Sequence, residues 1–224
     1  MAKGGSSFHM SAVPVTIFAH LLVISIAALT LAWLIKFREG FAFKSQSNKA
    51  KIFNLHPLLM ILGFVLFSGE AIIMYKAVPA KRRAQKLMHL ILHFIALVAG
   101  IIGVYAVFKF HSEVGIIHMY TLHSWIGLST ICLFGLQWLL GFFSFWYPRA
   151  EPMKRARMLP WHAFFGMVIF FMTIVTAETG LTQKFLFQGL RRSQEALIVN
   201  FTGLLILLFG ISVGLIVILP RRIV

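Results

Sequence analysis

The sequence contains no aspartate, and its six acidic residues are all glutamates. Sites that need several carboxylates, such as the glycosidase pair or a carboxylate-bridged di-metal centre, are therefore poorly supplied. Cysteine is equally scarce, because Cys132 is the only one and lies inside an apolar run. No disulfide can form within the chain, and we interpret Cys132 as a small packing residue.

Charged residues are also few, since they make up 12% of the chain while hydrophobic residues make up 59%. A soluble domain has about 25% charged residues, so this chain is too apolar to be one. We predict an integral membrane protein with a single domain over residues 1–224. The opening MAKGGSSFHMSAVP lacks the cleavage site after a short apolar core that is typical of a removable signal peptide.

Six apolar segments occupy most of the length, at about 13–35, 53–75, 87–108, 120–146, 161–181 and 197–219. Charge or proline bounds each segment, and segments this continuously apolar satisfy their backbone in lipid as helices. The predicted fold class is an all-α membrane protein with six transmembrane helices and both termini on one side. Lys and Arg are slightly more frequent on that side, which favours cytosolic termini.

The net charge of +15 comes from lysines and arginines between the apolar segments. In a soluble protein such a charge indicates nucleic-acid binding. In a membrane protein it is typical of loops that contact lipid headgroups and docked anions. We therefore predict membrane lipid and no nucleic acid as partners.

Four of the nine histidines lie near the start of consecutive predicted helices, from the second to the fifth: His56, His89, His123 and His162. Alternate helices run in the same direction, so His56 and His123 fall at one depth of the membrane. His89 and His162 fall at the other, roughly 20–25 Å away. The pattern predicts two facing pairs, one near each membrane surface.

Two neutral imidazoles on facing helices can hold a haem iron from both sides. Glycines and 23 phenylalanines provide room and walls for a flat apolar macrocycle. Zinc fits less well, because two histidines without cysteine or carboxylate leave its tetrahedral site half filled. A single intramembrane histidine is often only an interhelical contact, but four in register favour a functional set. His93, on the same helix face as His89, stays open as its alternative.

At these residues the chain resembles the cytochrome b561 family of transmembrane ascorbate-dependent oxidoreductases, over about residues 13–219. The motifs that carry the resemblance are NLHP at 54–57, GEAIIMYK at 69–76, TLHSW at 121–125, FSFWYP at 143–148 and LPWH at 159–162. The resemblance implies a homodimer, cytosolic termini, and two non-covalent haem b groups within a four-helix bundle of helices 2–5, at about residues 53–181. It implies axial ligation by His56 with His123 and by His89 with His162.

The resemblance also implies two substrate sites. Ascorbate is a monoanion that needs cationic hydrogen-bond donors, and its cytosolic pocket maps onto Tyr75, Arg82, Lys86 and Arg155. Lys86 lies three residues before His89, on the same helix face. The acceptor site on the opposite side maps onto Phe110, His111 and Tyr120, where monodehydroascorbate or a ferric chelate takes the electron. For each single cation, binding to lipid headgroups stays open as the alternative.

The predicted function is electron transfer from cytosolic ascorbate, through two bis-histidine b haems, across a vacuolar, vesicular or plasma membrane. Two alternatives stay open. One is a membrane-anchor b-type cytochrome serving a dehydrogenase partner, and the other is a transporter that uses intramembrane histidines for protons or metal ions. We expect Glu70 and Glu178 to pair with loop lysines, with proton movement as the alternative, His20 to be a packing residue and His118 to be solvated.

Overall fold

The computed structural model describes residues 11–220, which form six helices joined by short connections. In chain order the helices are α1 (Ala12–Phe37), α2 (Ala50–Ala77), α3 (Arg82–Val114), α4 (Leu122–Trp146), α5 (Pro152–Phe187) and α6 (Gln194–Ile218). Each is long and apolar enough to cross a membrane, and these residues contain no strand. The prediction of an all-α membrane protein with six transmembrane helices is confirmed. Residues 1–10 and 221–224, which bear on the signal-peptide and charge-bias predictions, lie outside the described part.

Several helices are longer than the apolar segments from which they were predicted. α5 already begins at Pro152 and includes Pro160, and α3 continues to Val114. Pro152 stands in the first turn of α5, where a missing N–H leaves no hydrogen bond unmade. Hydropathy detects only the part of a helix within hydrocarbon, whereas backbone hydrogen bonds carry the helix into the headgroup region. α3 ends at Gly115, whose φ of 74° is a left-handed conformation that glycine adopts without strain.

The four central helices form a closed ring in which α2 packs on α3, α3 on α4, α4 on α5, and α5 on α2. α1 and α6 pack on each other outside this ring and cover α2, and α6 also contacts α5. The larger apolar core lies in this outer contact and includes Trp33, Phe170 and Phe209, all almost fully buried. The ring interior is therefore available for something other than a continuous side-chain core.

A smaller apolar cluster crosses the ring interior about halfway along the helices. Every helix of the ring contributes to it, through Phe64, Ala96, Ile131, Phe134 and Ile169. The ring centroids of Phe64 and Phe134 are 4.8 Å apart. Each member lies about two to three helical turns beyond the predicted ligand histidine of its own helix. We call this cluster the midplane layer, and it divides the ring interior into two compartments.

The connection between α1 and α2 is fixed by polar contacts on the side of the membrane where α2 begins. The side-chain amide of Asn54 donates to the carbonyls of Arg38 and Gly40 over 2.9 and 2.6 Å. The Arg38 guanidinium forms an ion pair with Glu195, which also accepts a 2.8 Å hydrogen bond from the Trp33 indole. These contacts hold the first turns of α2 against α1 and α6.

Four expectations about single residues are wrong. Glu70 pairs with His20 of α1, with 3.0 Å between Oε1 and Nδ1, and not with a loop lysine, so His20 is more than a packing residue. Glu178 forms no ion pair within residues 11–220, and its buried Oε1 has no hydrogen-bond partner there. His118 is packed, since its ring stacks on Phe108 at 4.8 Å. The contacts of Glu70 and His118 depend on packing that the sequence pattern does not reveal.

Candidate functional site: two histidine pairs

The compartment near the start of α2 contains the first histidine pair, His56 of α2 and His123 of α4. Their ring centroids lie 6.0 Å apart, and the rings are nearly perpendicular, at 86°. The Nδ1 atom of His56 is 3.0 Å from the carbonyl oxygen of Gly103 on α3. The Nδ1 atom of His123 is 3.0 Å from the carbonyl oxygen of Thr176 on α5. All four helices of the ring thus contribute to positioning this pair.

The compartment beyond the midplane layer contains the second histidine pair, His89 of α3 and His162 of α5. Their ring centroids lie 6.3 Å apart at an interplanar angle of 64°. The Nδ1 atom of His89 is 2.9 Å from the carbonyl oxygen of Ala71 on α2. The two pairs therefore share one design, in which facing helices present imidazoles to each other across the ring.

Carbonyl oxygens lie next to Nδ1 in three of the four histidines, and they determine which ring nitrogen can bind a metal ion. A carbonyl only accepts hydrogen bonds, so Nδ1 must carry the proton, and the Nε2 lone pair is left for a metal ion. Metal-ligating histidines typically have this second hydrogen bond, which fixes both tautomer and ring orientation. Metal–nitrogen bonds are about 2.0–2.1 Å long, so two imidazoles that share one metal ion have centroids roughly 6 Å apart. Both observed separations agree with that value.

His162 differs from the other three because its Nδ1 faces a side chain. The amide nitrogen of Gln137 on α4 lies 3.1 Å from His162 Nδ1 and donates to the His162 carbonyl oxygen over 2.7 Å. One side chain thus contacts both the ring and the backbone of His162. The sequence alone gave no reason to single out Gln137, since a glutamine in an apolar helix is recognisable only as an unusual polar residue.

His93 lies beside the second pair and differs from His89 in its surroundings. Its ring centroid is 4.5 Å from that of His89 and 5.3 Å from that of Phe134 in the midplane layer. Its Nδ1 atom is buried and has no hydrogen-bond partner among residues 11–220. Within residues 11–220, His89 thus has the Nδ1 contact that is typical of metal-ligating histidines, and His93 does not.

Glycines provide the space for two of the rings. A Cβ atom added to Gly180 of α5 would lie 2.7 Å from Cε1 of His123, and one added to Gly141 of α4 would lie 2.9 Å from Cε1 of His162. Both distances are shorter than a carbon–carbon contact allows. In the first compartment α5 thus provides the glycine beside a histidine of α4, and in the second compartment α4 provides the glycine beside a histidine of α5.

A cavity of about 350 Å³ extends from the first pair to the loop between α3 and α4. Its walls include the predicted acceptor residues Phe110, His111 and Tyr120, together with His56 and His123. The His111 ring lies 6.0 Å from Phe110 and 6.5 Å from Tyr120. The structure thus brings the three predicted acceptor residues together beside the first pair.

Two further residues of this cavity were not found by sequence reasoning. The Phe53 ring lies 6.1 Å from His56 and 5.4 Å from Phe110, so it bridges the first pair and the predicted acceptor residues. Lys184, from the last turn of α5, places its Nζ atom 4.1 Å from the centroid of Phe53. Their proximity depends on the packing of α5 against α2, which no local pattern shows.

The predicted donor residues lie at the other end of the ring, near the second pair. The Tyr75 ring is 5.3 Å from the ring of His89, and the Arg82 guanidinium lies over Tyr75 at 4.7 Å from its centroid. Lys86 is close enough to Arg82, Arg155 and Arg149 to be affected by their charges. Arg82, Arg149 and Arg155 therefore lie near Lys86 at this end of the ring.

The two imidazole nitrogens of each pair suit a metal ion whose other ligands come from a cofactor and not from the protein. Within residues 11–220, no group of three or more His, Cys, Asp or Glu side chains is placed to hold a metal ion. Two facing imidazoles complete the coordination of a metal whose four remaining positions are filled by a macrocycle, as in b-type haem proteins. The residues present therefore fit haem, and the glycines beside His123 and His162 leave room next to the rings.

A ring of four membrane helices with two such histidine pairs is typical of membrane-bound b-type cytochromes. The sequence profile of the eukaryotic cytochrome b561 family matches residues 55–188. The chain belongs to this family, which confirms the resemblance found in the sequence, and membership implies haem b as the cofactor. It is an integral membrane protein.

Curated relatives support this membership over nearly the whole chain. A rice protein named probable ascorbate-specific transmembrane electron transporter 1 is 47% identical over 217 residues, which cover 95% of this chain and 92% of the relative. The Arabidopsis transmembrane ascorbate ferrireductase 2 is 42% identical, with 92% of both chains covered. A pig transmembrane ascorbate-dependent reductase is 40% identical over 86% of this chain and 77% of its own.

The glycine contacts lead to a testable prediction. Replacing Gly180 with alanine should weaken haem binding at the first pair, because the added methyl group displaces the His123 ring. Glycine-to-alanine changes inside helices otherwise stabilise by about 1 kcal/mol. Gly135→Ala is the matched control, since its Cβ would meet only Leu97 at 3.7 Å. Haem per chain after gel filtration measures the effect, and equal haem retention in both variants would contradict the prediction.

Proposed function

We propose that this chain is a transmembrane ascorbate-dependent reductase. In it, electrons pass from cytosolic ascorbate, through two haem b groups, to monodehydroascorbate or a ferric chelate on the opposite side. The observation that carries the proposal is the pair of matched histidine sites, with centroid separations of 6.0 and 6.3 Å, in two compartments of one helical ring. The names of the rice, Arabidopsis and pig relatives, which describe ascorbate-dependent electron transfer or ferrireduction, agree with it.

Within this proposal the chain's residues hold and separate the cofactors. His56 and His123 hold one haem, His89 and His162 hold the other, and residues 53–181 form the haem-binding core of a single domain. Bound haem supplies one-electron chemistry by alternating between ferric and ferrous iron. The midplane layer of apolar side chains keeps water out of the space between the two sites. Carbonyl oxygens on Nδ1 keep three ligand rings in the tautomer that binds metal.

The donor site is assigned to Tyr75, Arg82, Lys86 and Arg155, beside the second pair. Their cations attract the ascorbate monoanion and hydrogen-bond its oxygens. Each ascorbate that gives one electron also loses one proton and leaves as the monodehydroascorbate radical anion. The acceptor site is assigned to Phe110, His111 and Tyr120, beside the first pair. This assignment corresponds to cytosolic termini in a vacuolar, vesicular or plasma membrane, and we infer a homodimer from the family.

The test is a visible spectrum of the purified full-length protein before and after ascorbate is added, with haem quantified against protein. We expect about two b-type haems per chain with the sharp bands of low-spin bis-imidazole iron, and reduction by ascorbate. Haem that dithionite reduces and ascorbate does not would favour a membrane-anchor cytochrome with a dehydrogenase partner. A colourless protein would refute the haem assignment and favour a transporter.

A further inference from the structure

Lys184 is a cation inside the cavity beside the first histidine pair. It lies in the last turn of α5, which ends at Phe187, and its Nζ atom packs over the Phe53 ring at 4.1 Å. It lines the same cavity as His56 and His123. Phe53 also contacts His56, with 6.1 Å between their ring centroids, so one aromatic ring contacts both this ammonium group and a predicted haem ligand.

Lys184 has no carboxylate partner within residues 11–220. Glu195, whose charge acts on Lys184, is already bound by the Arg38 guanidinium and by the Trp33 indole. Two other lysines at this end of the ring do have a carboxylate partner. Lys49 and Lys109 both pair with Glu113, at 2.5 and 3.8 Å. The cavity is therefore lined by a lysine that forms no ion pair with a carboxylate among residues 11–220.

A partly buried ammonium group is unfavourable unless an anion or several acceptors compensate it. The Phe53 ring face supplies part of that compensation through a cation–π contact, and an anion that enters the cavity can supply the rest. We propose that Lys184 is a specificity-determining residue that binds the anionic electron acceptor in this cavity. The proposal rests on the proposed function, and it adds a cationic recognition group to an acceptor site otherwise made of aromatic rings and His111.

The alternative is a purely structural lysine, since a cation in the last turn of a helix is stabilised by the helix dipole. The two roles differ in one respect. A structural lysine affects every acceptor alike, whereas a recognition residue discriminates acceptors by charge. Lys184→Arg keeps the charge and should preserve recognition, while Lys184→Met removes it and keeps a long apolar side chain.

The experiment uses the full-length holoprotein in vesicles loaded with ascorbate, with the acceptor added outside. Ferricyanide is the anionic probe, and hexaammineruthenium(III) is the cationic probe. We expect Lys184→Met to raise the KM for ferricyanide about tenfold, the effect of one charge-assisted contact, with little change in kcat. Reduction of the cationic probe should stay as fast as in the wild type, and added salt should shrink the difference for ferricyanide.

Lys51→Met is the matched control, because it removes the same charge on the same side of the membrane outside the cavity. Rates are divided by haem content, so that a variant that folds poorly is corrected for. An equal loss toward both probes in Lys184→Met, or no loss toward either, would overturn the proposal. Failure of the proposed function would look different, since ascorbate would then leave the wild-type haem oxidised. Vesicles loaded with dithionite would still compare the two probes in that case.

Discussion

Replacing His123 with alanine is expected to reduce bound haem from about two to about one per chain. His56 alone would then remain at the first site, without the facing imidazole that its ring meets at 6.0 Å. The second site lies beyond the midplane layer and contacts neither residue, so its haem should stay. Ascorbate should still reduce the remaining haem, but an acceptor on the far side of a vesicle membrane should no longer be reduced.

The measurement is haem per chain by pyridine haemochrome, combined with acceptor reduction in ascorbate-loaded vesicles. His118→Ala is the control for haem content, because His118 lines the same cavity but stacks on Phe108 and on His111, at 4.8 and 5.6 Å, and not on the ring of a predicted haem ligand among residues 11–220. It should keep the full haem content. A His123→Ala protein that binds as much haem as the wild type would refute the first ligand pair.

Replacing His89 with alanine should remove the other haem, which is the one nearest the predicted donor site. The rate of reduction by ascorbate should fall at least by the roughly 10–100-fold that loss of a supporting hydrogen bond costs a metal site. We assign the ligand role to His89 because its Nδ1 lies 2.9 Å from the Ala71 carbonyl oxygen. This hydrogen bond leaves the Nε2 lone pair for the haem iron. His93 is one helical turn deeper and lacks such a contact within the described residues.

His93→Ala is therefore the matched variant for His89→Ala. It removes an imidazole from the same helix face and should leave two haems per chain, with a changed spectrum at most for the second site. Haem content and the rate of reduction by ascorbate are compared in both variants. If His93→Ala loses the haem and His89→Ala keeps it, the ligand assignment passes to His93.

The arrangement of the six helices shows how α1 and α6 support the ring formed by the four central helices. The four central helices surround two compartments and share only a thin midplane layer, so little side-chain packing holds them together from within. α1 and α6 add a large apolar core along α2 and α5, built around residues such as Trp33 and Phe209. This outer core stabilises the side of the ring to which His56 and His162 belong. The remaining outward surface is apolar and exposed, as lipid contact requires.

Hydropathy and register predicted much of this protein because both depend on local sequence. An apolar run must become a helix in lipid, and a histidine near a helix start lies near one membrane surface. The six helices were found in this way, whereas the family was recognised from motifs. The motifs around His56, His123 and His162 supported the family. Helix ends were less accurate, as in α5, because a helix can leave the hydrocarbon without losing its backbone hydrogen bonds.

The sequence by itself thus determined the number of helices, their order, and which histidines share a depth. Only the tertiary structure decided which side chains meet. The Glu70–His20 pair, the Gln137 contact to His162, the His89 contact to Ala71, and the packing of Lys184 on Phe53 all join residues on different helices. The rotation of each helix about its own axis sets such contacts. That rotation follows from packing against several neighbours at once, so a pattern within one helix does not contain it.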